Sequence, residues 1–219
     1  MVDESERFRL IFLCTGNRAR SAIAEAFVRK HTASLPVDVS SAGLLDLEPG
    51  PALPEAVEAA ASVGLDLSTH MSRPLGKVAV TDLDLVIGFE RQHVASAVID
   101  GGAPFEKTFL LPELVELLRS SSSQPQGNLV QTARSRIEEA YADRADPLSA
   151  IPQEIADPFG GTSDVFVSTT DHIQRLVAEL VERLFNVKVT VVPVPQVARH
   201  TGWLRRNRSP RRQRRATGG

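Results

Sequence analysis

Apolar positions along the chain fall first into a dense run at residues 7–13, which predicts a buried strand. Helical spacing follows: residues 21–30 predict a helix, with Ile23, Ala26, Phe27 and Lys30 along one face. A second short strand is predicted at 37–41, closed by Ala42-Gly43. Pro54 opens the next helix at the first-turn position where a missing N–H does no harm, and Gly64 ends it. Loop 44–51 lies between them. Residues 83–89 are apolar enough for a strand covered on both faces. A helix at 90–98 follows, then, past Gly101-Gly102-Ala103-Pro104, a fourth strand at 107–111.

Strand alternating with helix implies parallel strands joined by right-handed crossovers. The expected fold is therefore a single α/β domain, a four-stranded parallel sheet flanked by helices on both faces, with a ligand site at the carboxyl ends of the strands. Beyond residue 112 the pattern loosens. Residues 113–119 and 134–145 read as helical, and 120–128, rich in Ser, Gln, Pro and Gly, read as exposed loop. The cleanest helix is 171–185, where Ile173, Leu176, Val177, Leu180, Val181, Leu184 and Phe185 form one core-facing stripe. Residues 187–194 are β-branched and interrupted by Pro193, with Pro195 beyond: an extra edge strand or an extended linker.

Composition adds three constraints. At 219 residues and 42% hydrophobic content, the chain can bury one sizeable core and carry a tail. One cysteine cannot close an internal disulfide, so the reducing cytoplasm is the expected location. Asp3, Glu4 and Glu6 precede only a short apolar run, the wrong charge and length for a signal peptide, and no segment approaches the roughly 20 apolar residues of a membrane span. The net charge of −2 hides an asymmetry: residues 1–198 carry 17 of the 25 basic residues against all 27 acidic ones, a balance of about −10, and 199–219 carry about +8. The arginines of 205–215 read as a solvated, disordered stretch that could also contact an anionic partner such as nucleic acid or lipid.

The chemistry concentrates where the first strand meets the first helix. Cys14-Thr15-Gly16-Asn17-Arg18-Ala19-Arg20-Ser21 places the lone cysteine at the strand's end, Gly-Asn inside the turn and Arg-Ser at the helix start. A short strand-to-helix loop aims backbone N–H groups inward and makes an anion cradle that the helix dipole reinforces. Gly16 and Asn17 are residue types that tolerate the φ/ψ of such a curl. Arg20 adds a planar fork matched to two phosphoryl oxygens. Every surrounding dipole favours an anionic sulfur, so Cys14 is expected to be a thiolate nucleophile aimed at phosphorus. Taken singly, a lone cysteine is more often a small buried hydrophobe and an arginine a solvated helix residue; the combination overrides both.

This stretch resembles the signature of the low-molecular-weight protein tyrosine phosphatases and of the arsenate reductases that share their fold, Cys-x-Gly-Asn-x-Cys-Arg-Ser-Pro-x-Ala-Glu. The matches are Cys14, Gly16, Asn17, Arg20, Ser21, Ala24 and Glu25. Ala19 stands where many members have a second cysteine, and Ala22 replaces the usual proline. The likeness spans about residues 7–185, giving a phosphatase-like domain at 1–186 with an insertion at about 113–150, and an extended segment plus arginine-rich tail at 187–219. It implies a phosphomonoester hydrolase, a protein tyrosine phosphatase working through a cysteinyl phosphate. Catalysis falls to Cys14, Arg20 and Asp157, and substrate binding to Thr15, Gly16, Asn17, Arg18, Ala19 and Ser21.

Asp157 is the implied general acid: Asp-Pro before Gly-Gly is by itself a turn, but it follows the fourth strand and precedes the last helix, where the family places its Asp-Pro. Phe159 and Gly160 occupy positions where many relatives have tyrosines. Ser40-Ser41-Ala42-Gly43 and Ser68-Thr69-His70-Met71-Ser72-Arg73 resemble two further segments, which implies that Ser41 and His70 brace Asn17. Two other readings stay open: arsenate reduction coupled to a small thiol, and a binder of phosphate or phosphoproteins without catalysis. No Gly-x-Gly-x-x-Gly and no Gly-x-x-x-x-Gly-Lys-Ser/Thr is present, and His31, His70, His93, His172 and His200 lack ligand spacing, so neither a cofactor nor a metal is indicated. The implied partner is a phosphorylated protein or small phosphomonoester.

Overall fold

The computed structural model describes residues 7–120, 127–144 and 153–194. In chain order these form β1 (Phe8–Cys14), α1 (Arg20–His31), β2 (Val37–Gly43), α2 (Pro54–Ser62), β3 (Leu85–Gly88), α3 (Arg91–Ile99), β4 (Thr108–Leu110), α4 (Leu111–Ser120), α5 (Leu129–Ala142) and α6 (Ser163–Phe185). All strand pairs are parallel, in the order β2-β1-β3-β4. Phe8 pairs with Val37 and Cys14 with Gly43 on one side of β1; Leu10 pairs with Leu85 on the other. The chain therefore goes to one side of β1 for β2 and to the opposite side for β3. That reversal opens a crevice at the carboxyl ends of β1 and β3.

The two-residue alternation of β1 sorts its side chains between two cores. Phe8, Leu10, Phe12 and Cys14 join the larger cluster with residues of α1, α4 and α6, whereas Ile11 and Leu13 join a smaller one with Leu75, Val80, Val86 and Ala97. Helix α6 is the hub of the thick side, packing on α1, α2, α4 and α5, and α3 covers the sheet near β3 and β4.

Several boundaries differ from the sequence expectation. Helix α6 begins at Ser163, eight residues earlier than the apolar stripe indicated, because the first two turns, Ser163 to Thr170, are mostly polar or β-branched and put polar Thr170 at a fully buried position where the stripe would need an apolar residue. Helix α5 begins at Leu129, five residues early, where Asn128 Oδ1 accepts from Gln131 N and Gln131 Oε1 accepts from Asn128 N. Residues 187–194 form no strand. They run back along α6 as a linker, with Gln174 Nε2 donating to Val192 O and Val189 N donating to Glu182 Oε1. The arginine-rich tail and most of the expected loop at 120–128 lie outside the described residues.

Candidate functional site

The turn between β1 and α1 closes around the sulfur of Cys14. Asn17 N donates to Cys14 Sγ (3.2 Å), and Ser21 Oγ lies 3.0 Å from it. The carbonyls of this turn are taken up from outside: Leu44 N donates to Cys14 O, Leu45 N to Thr15 O and Leu53 N to Arg18 O. With the carbonyls engaged outward, the curl presents its N–H groups to the space above the sulfur. Helix α1 adds to this, since Ala19 at its N-cap supplies no capping side chain and its first turn contains no acid. Its leading N–H groups are left for an anion.

The left-handed step falls on Asn17 (φ +52°), whereas Gly16 adopts no positive φ; a β-carbon at Gly16 would stand in the open cleft. Asn17 is buried and braced at each polar atom. Its Nδ2 donates to Ser41 Oγ (2.7 Å) and Ser21 Oγ (2.9 Å), its Oδ1 accepts from Arg73 N (2.9 Å), and its carbonyl accepts from His70 Nε2 (2.7 Å). Ser41 in turn donates to Glu25 Oε2, and Arg29 pairs with Glu25 Oε1. The direction of donation follows: because Asn17 Nδ2 occupies an acceptor position on Ser21, the Ser21 hydroxyl hydrogen is free to point at Cys14 Sγ. Gly43 makes the close approach possible, since an added β-carbon would come within 2.8 Å of Gly16 C and 2.9 Å of Asn17 N.

Arg20 is engaged on both of its terminal nitrogens. Its Nη1 donates to Glu90 Oε2 (2.6 Å) and Ile155 O (2.8 Å), and its Nη2 meets Thr15 Oγ1 (3.1 Å) and Asp157 Oδ2 (2.6 Å). A guanidinium has five N–H groups; the remaining one, on Nε, is buried and has no partner among the described residues. Nε lies on the same edge of the fork as Nη2, the pair of donors that a two-oxygen ligand takes side-on.

Asp157 sits in a tight turn in which Phe159 N donates to its Oδ1 (3.2 Å). Its other oxygen faces Arg20. Cys14, Thr15, Gly16, Arg18, Ala19 and Asp157 line a cleft of about 170 Å3 whose mouth is formed by Leu45, Leu47, Leu53 and Phe159. Arg18 lines it too, but its Nε donates to Pro51 O (2.7 Å), away from the sulfur. The structure thus brings together Cys14, Thr15, Gly16, Arg18, Ala19, Arg20, Ser21 and Asp157, and sets Asn17, Ser41 and His70 behind them. Among the described residues no cluster of His, Cys, Asp and Glu has the makings of a metal site.

Sequence reasoning missed Glu90 and His93, which begin α3 beside Arg20. His93 Nδ1 accepts from Phe89 N (3.2 Å) and Glu90 N (3.0 Å), and its Nε2 lies 3.2 Å from Thr15 Oγ1. Burial, aided by the Arg20 charge, lowers the His93 pKa to about 4, so the ring is neutral. The signal was present as an acid at a helix start with a side chain able to reach back three residues later, the spacing of a reciprocal cap. Gly43 and Glu25 were visible only as parts of matched segments; their partners are Gly16 and Ser41, distant in the chain.

This arrangement, a sulfur within a curl of amides that shares a cleft with a carboxyl paired to a guanidinium, fits transfer of a phosphoryl group onto sulfur. Comparison with known proteins agrees. A family model described as low molecular weight phosphotyrosine protein phosphatase matches residues 9–124. The protein-arginine-phosphatase of Bacillus subtilis (strain 168) is 29% identical over 177 residues, covering 80% of this chain and 95% of that protein. The low molecular weight protein-tyrosine-phosphatase Etp of Escherichia coli (strain K12) is 33% identical over 107 residues, 49% of this chain and 71% of the relative. Among solved structures, a mutant of the arginine phosphatase YwlE with a phosphorylated active-site serine superposes with a TM-score of 0.60 at 28% identity, covering 81% of this chain and 95% of that one.

Proposed function

The chain belongs to the low molecular weight phosphotyrosine protein phosphatase family, and on that premise we propose that it hydrolyses phosphorylated protein side chains through Cys14, Arg20 and Asp157. The observation that carries this reading is the buried Nε of Arg20, unpartnered among the described residues, on a guanidinium whose Nη2 meets Asp157, a residue that lines the cleft with Cys14. A dianionic phosphoryl group supplies the missing acceptor. Backbone amides of residues 15–20 hold the remaining oxygens.

In the first step Cys14 Sγ attacks phosphorus in line, an S–P bond forms, and the bond to the departing atom breaks as Asp157 gives that atom a proton. The oxygen that displaces Asp157 from Arg20 Nη2 also releases the carboxyl towards the departing atom. In the second step Asp157 takes a proton from water, the water oxygen attacks phosphorus, and the P–S bond breaks. The Ser21 hydroxyl steadies the departing thiolate. The phosphorylated active-site residue of the YwlE structure supports a covalent intermediate in this family. A lone cysteine without a disulfide partner is consistent with a reducing compartment, and we place the protein in the cytoplasm.

Phosphotyrosine is the first substrate to try. A second reading, phosphoarginine, is favoured by a specific observation: the relative matched over 95% of its own length is a protein-arginine-phosphatase, and the mouth offers three leucines with one phenylalanine. Turnover of the same protein carrying phosphotyrosine or phosphoarginine, followed by phosphate release and by mass spectrometry of a Cys14 phosphoryl adduct, tests both. Release from neither, by an enzyme that binds vanadate, would leave a binder and overturn the proposal.

A further inference from the structure

His93 is buried, makes no hydrogen bond to Cys14 or Asp157, and has no part in the chemistry above; one of its hydrogen bonds nevertheless ends on the cradle. Two backbone amides, Phe89 N and Glu90 N, donate to Nδ1, which must therefore carry the lone pair. The ring proton is then on Nε2, and the Thr15 hydroxyl oxygen at 3.2 Å is its acceptor. Glu90 Oε2, at 3.5 Å, is the more distant alternative. Thr15 Oγ1 also accepts from Arg20 Nη2 (3.1 Å). A hydroxyl oxygen has two lone pairs, and these two donors use both. Its own hydrogen is left to donate, and Thr15 lines the cleft beside Cys14 and Asp157.

We propose that His93 is a positioning residue of this phosphatase: through a fixed Nε2–H it holds the Thr15 hydroxyl as an obligate donor facing the phosphoryl group or its departing atom. This rests on the functional reading given above. The placement is built rather than incidental. Gly88 at the end of β3 admits the ring, since a β-carbon there would come within 2.9 Å of His93 Cβ. The neutral ring cannot switch tautomer without leaving two buried amides unpaired. Loss of the His93 donor would let Thr15 rotate or donate to Glu90 or Asp157, and the reacting group would lose a donor.

The two ring nitrogens can be separated by substitution. In His93→Asn the side-chain oxygen can still accept from the Phe89 and Glu90 amides, but nothing reaches Thr15. In His93→Gln the amide nitrogen can still reach Thr15, but the acceptor near the helix start is lost. A positioning role gives His93→Asn a kcat about tenfold to a hundredfold lower with a nearly unchanged melting temperature. His93→Gln is then expected to retain more of kcat while melting lower. In a Thr15→Val background, where activity is already reduced, His93→Asn is expected to have less than about a twofold further effect. A purely structural cap predicts the reverse order, with Gln the poorer enzyme and the Asn loss undiminished by Thr15→Val; either finding overturns the proposal. A wild type that binds vanadate but releases no phosphate would instead remove the functional reading on which it rests.

Discussion

At the floor of the cleft, Cys14, Asn17, Arg20 and Ser21 are at most 2% exposed, and apart from Arg20 Nε their polar atoms are tied to partners that include β2, Glu90 before α3 and the 43–53 and 70–73 segments. At its mouth, Leu45, Leu47 and Phe159 expose 48%, 51% and 74% of their surface. A close-packed floor transmits any displacement, because no neighbour can move without breaking another bond. An exposed rim side chain can be exchanged with little effect on its surroundings. On the proposed reading the floor governs whether phosphoryl transfer occurs, and the mouth governs which side chain is admitted.

The sharpest way to break this contrast is at the sulfur. Cys14→Ser keeps the size of the side chain but replaces the nucleophile with a far weaker one, and hydrolysis is expected to fall by at least about 10³-fold. Circular dichroism identical to wild type would separate this from misfolding; retained turnover would refute the covalent route. Asp157→Ala comes next, with a loss of about 10²- to 10⁴-fold on a phosphoprotein and less on p-nitrophenyl phosphate, whose departing group needs little protonation. Equal losses on the two substrates would mean that Asp157 acts through Arg20 and not as an acid.

The contrast also accounts for what could be read from the residues alone. The parallel sheet was legible because strand-length apolar runs at 7–13, 37–41, 83–89 and 107–111 alternate with helical spacing, a pattern carried by local sequence. Cys14, Arg20 and Ser21 were legible because one turn carries all three. Asp157 needed its place in the chain order, since its own neighbourhood reads as an ordinary turn. What stayed hidden is long-range: Leu44 and Leu45 drawing the cradle's carbonyls outward, the close approach of Gly43, and the engagement of Arg20 by Glu90. None of these leaves a periodicity. Buried Thr170 misled in the opposite sense, ending the apolar stripe early and making the first third of α6 look like loop.

Two effects of intermediate size test the floor without touching the sulfur. His93 faces Arg20, Glu90, Glu154 and Asp157, and its pKa is lowered to about 4 from an ordinary 6.5. Between those values the unfolded chain binds the proton that the folded one refuses, so stability is full above pH 6.5 and falls as pH drops towards 4. The loss assignable to this group is about 3 kcal/mol at the acid end. Denaturant titrations across that window are expected to show a shallower slope for His93→Asn; parallel curves would mean that the ring protonates in the folded state. Gly43→Ala places a β-carbon against the Gly16-Asn17 backbone and is expected to cost about 1–3 kcal/mol and to lower kcat with it. A variant as active and stable as wild type would show that the cradle can yield there.

Phe159→Ala is the smallest change and the one that defines the mouth. The ring projects into solvent beside the cleft, while the backbone N–H of Phe159 holds Asp157 Oδ1 and survives the substitution. Only the apolar contact with an incoming side chain is removed, worth about 1 kcal/mol for an aromatic partner. The expected result is a KM for a phosphotyrosine peptide raised about fivefold, with kcat altered much less. The ratio of phosphotyrosine to phosphoarginine turnover is expected to shift towards phosphoarginine, because a tyrosine ring has more to gain from the contact. A fall in kcat approaching that of Asp157→Ala would place Phe159 with the floor, since a residue that merely admits substrate has no hold on the transition state once substrate is bound.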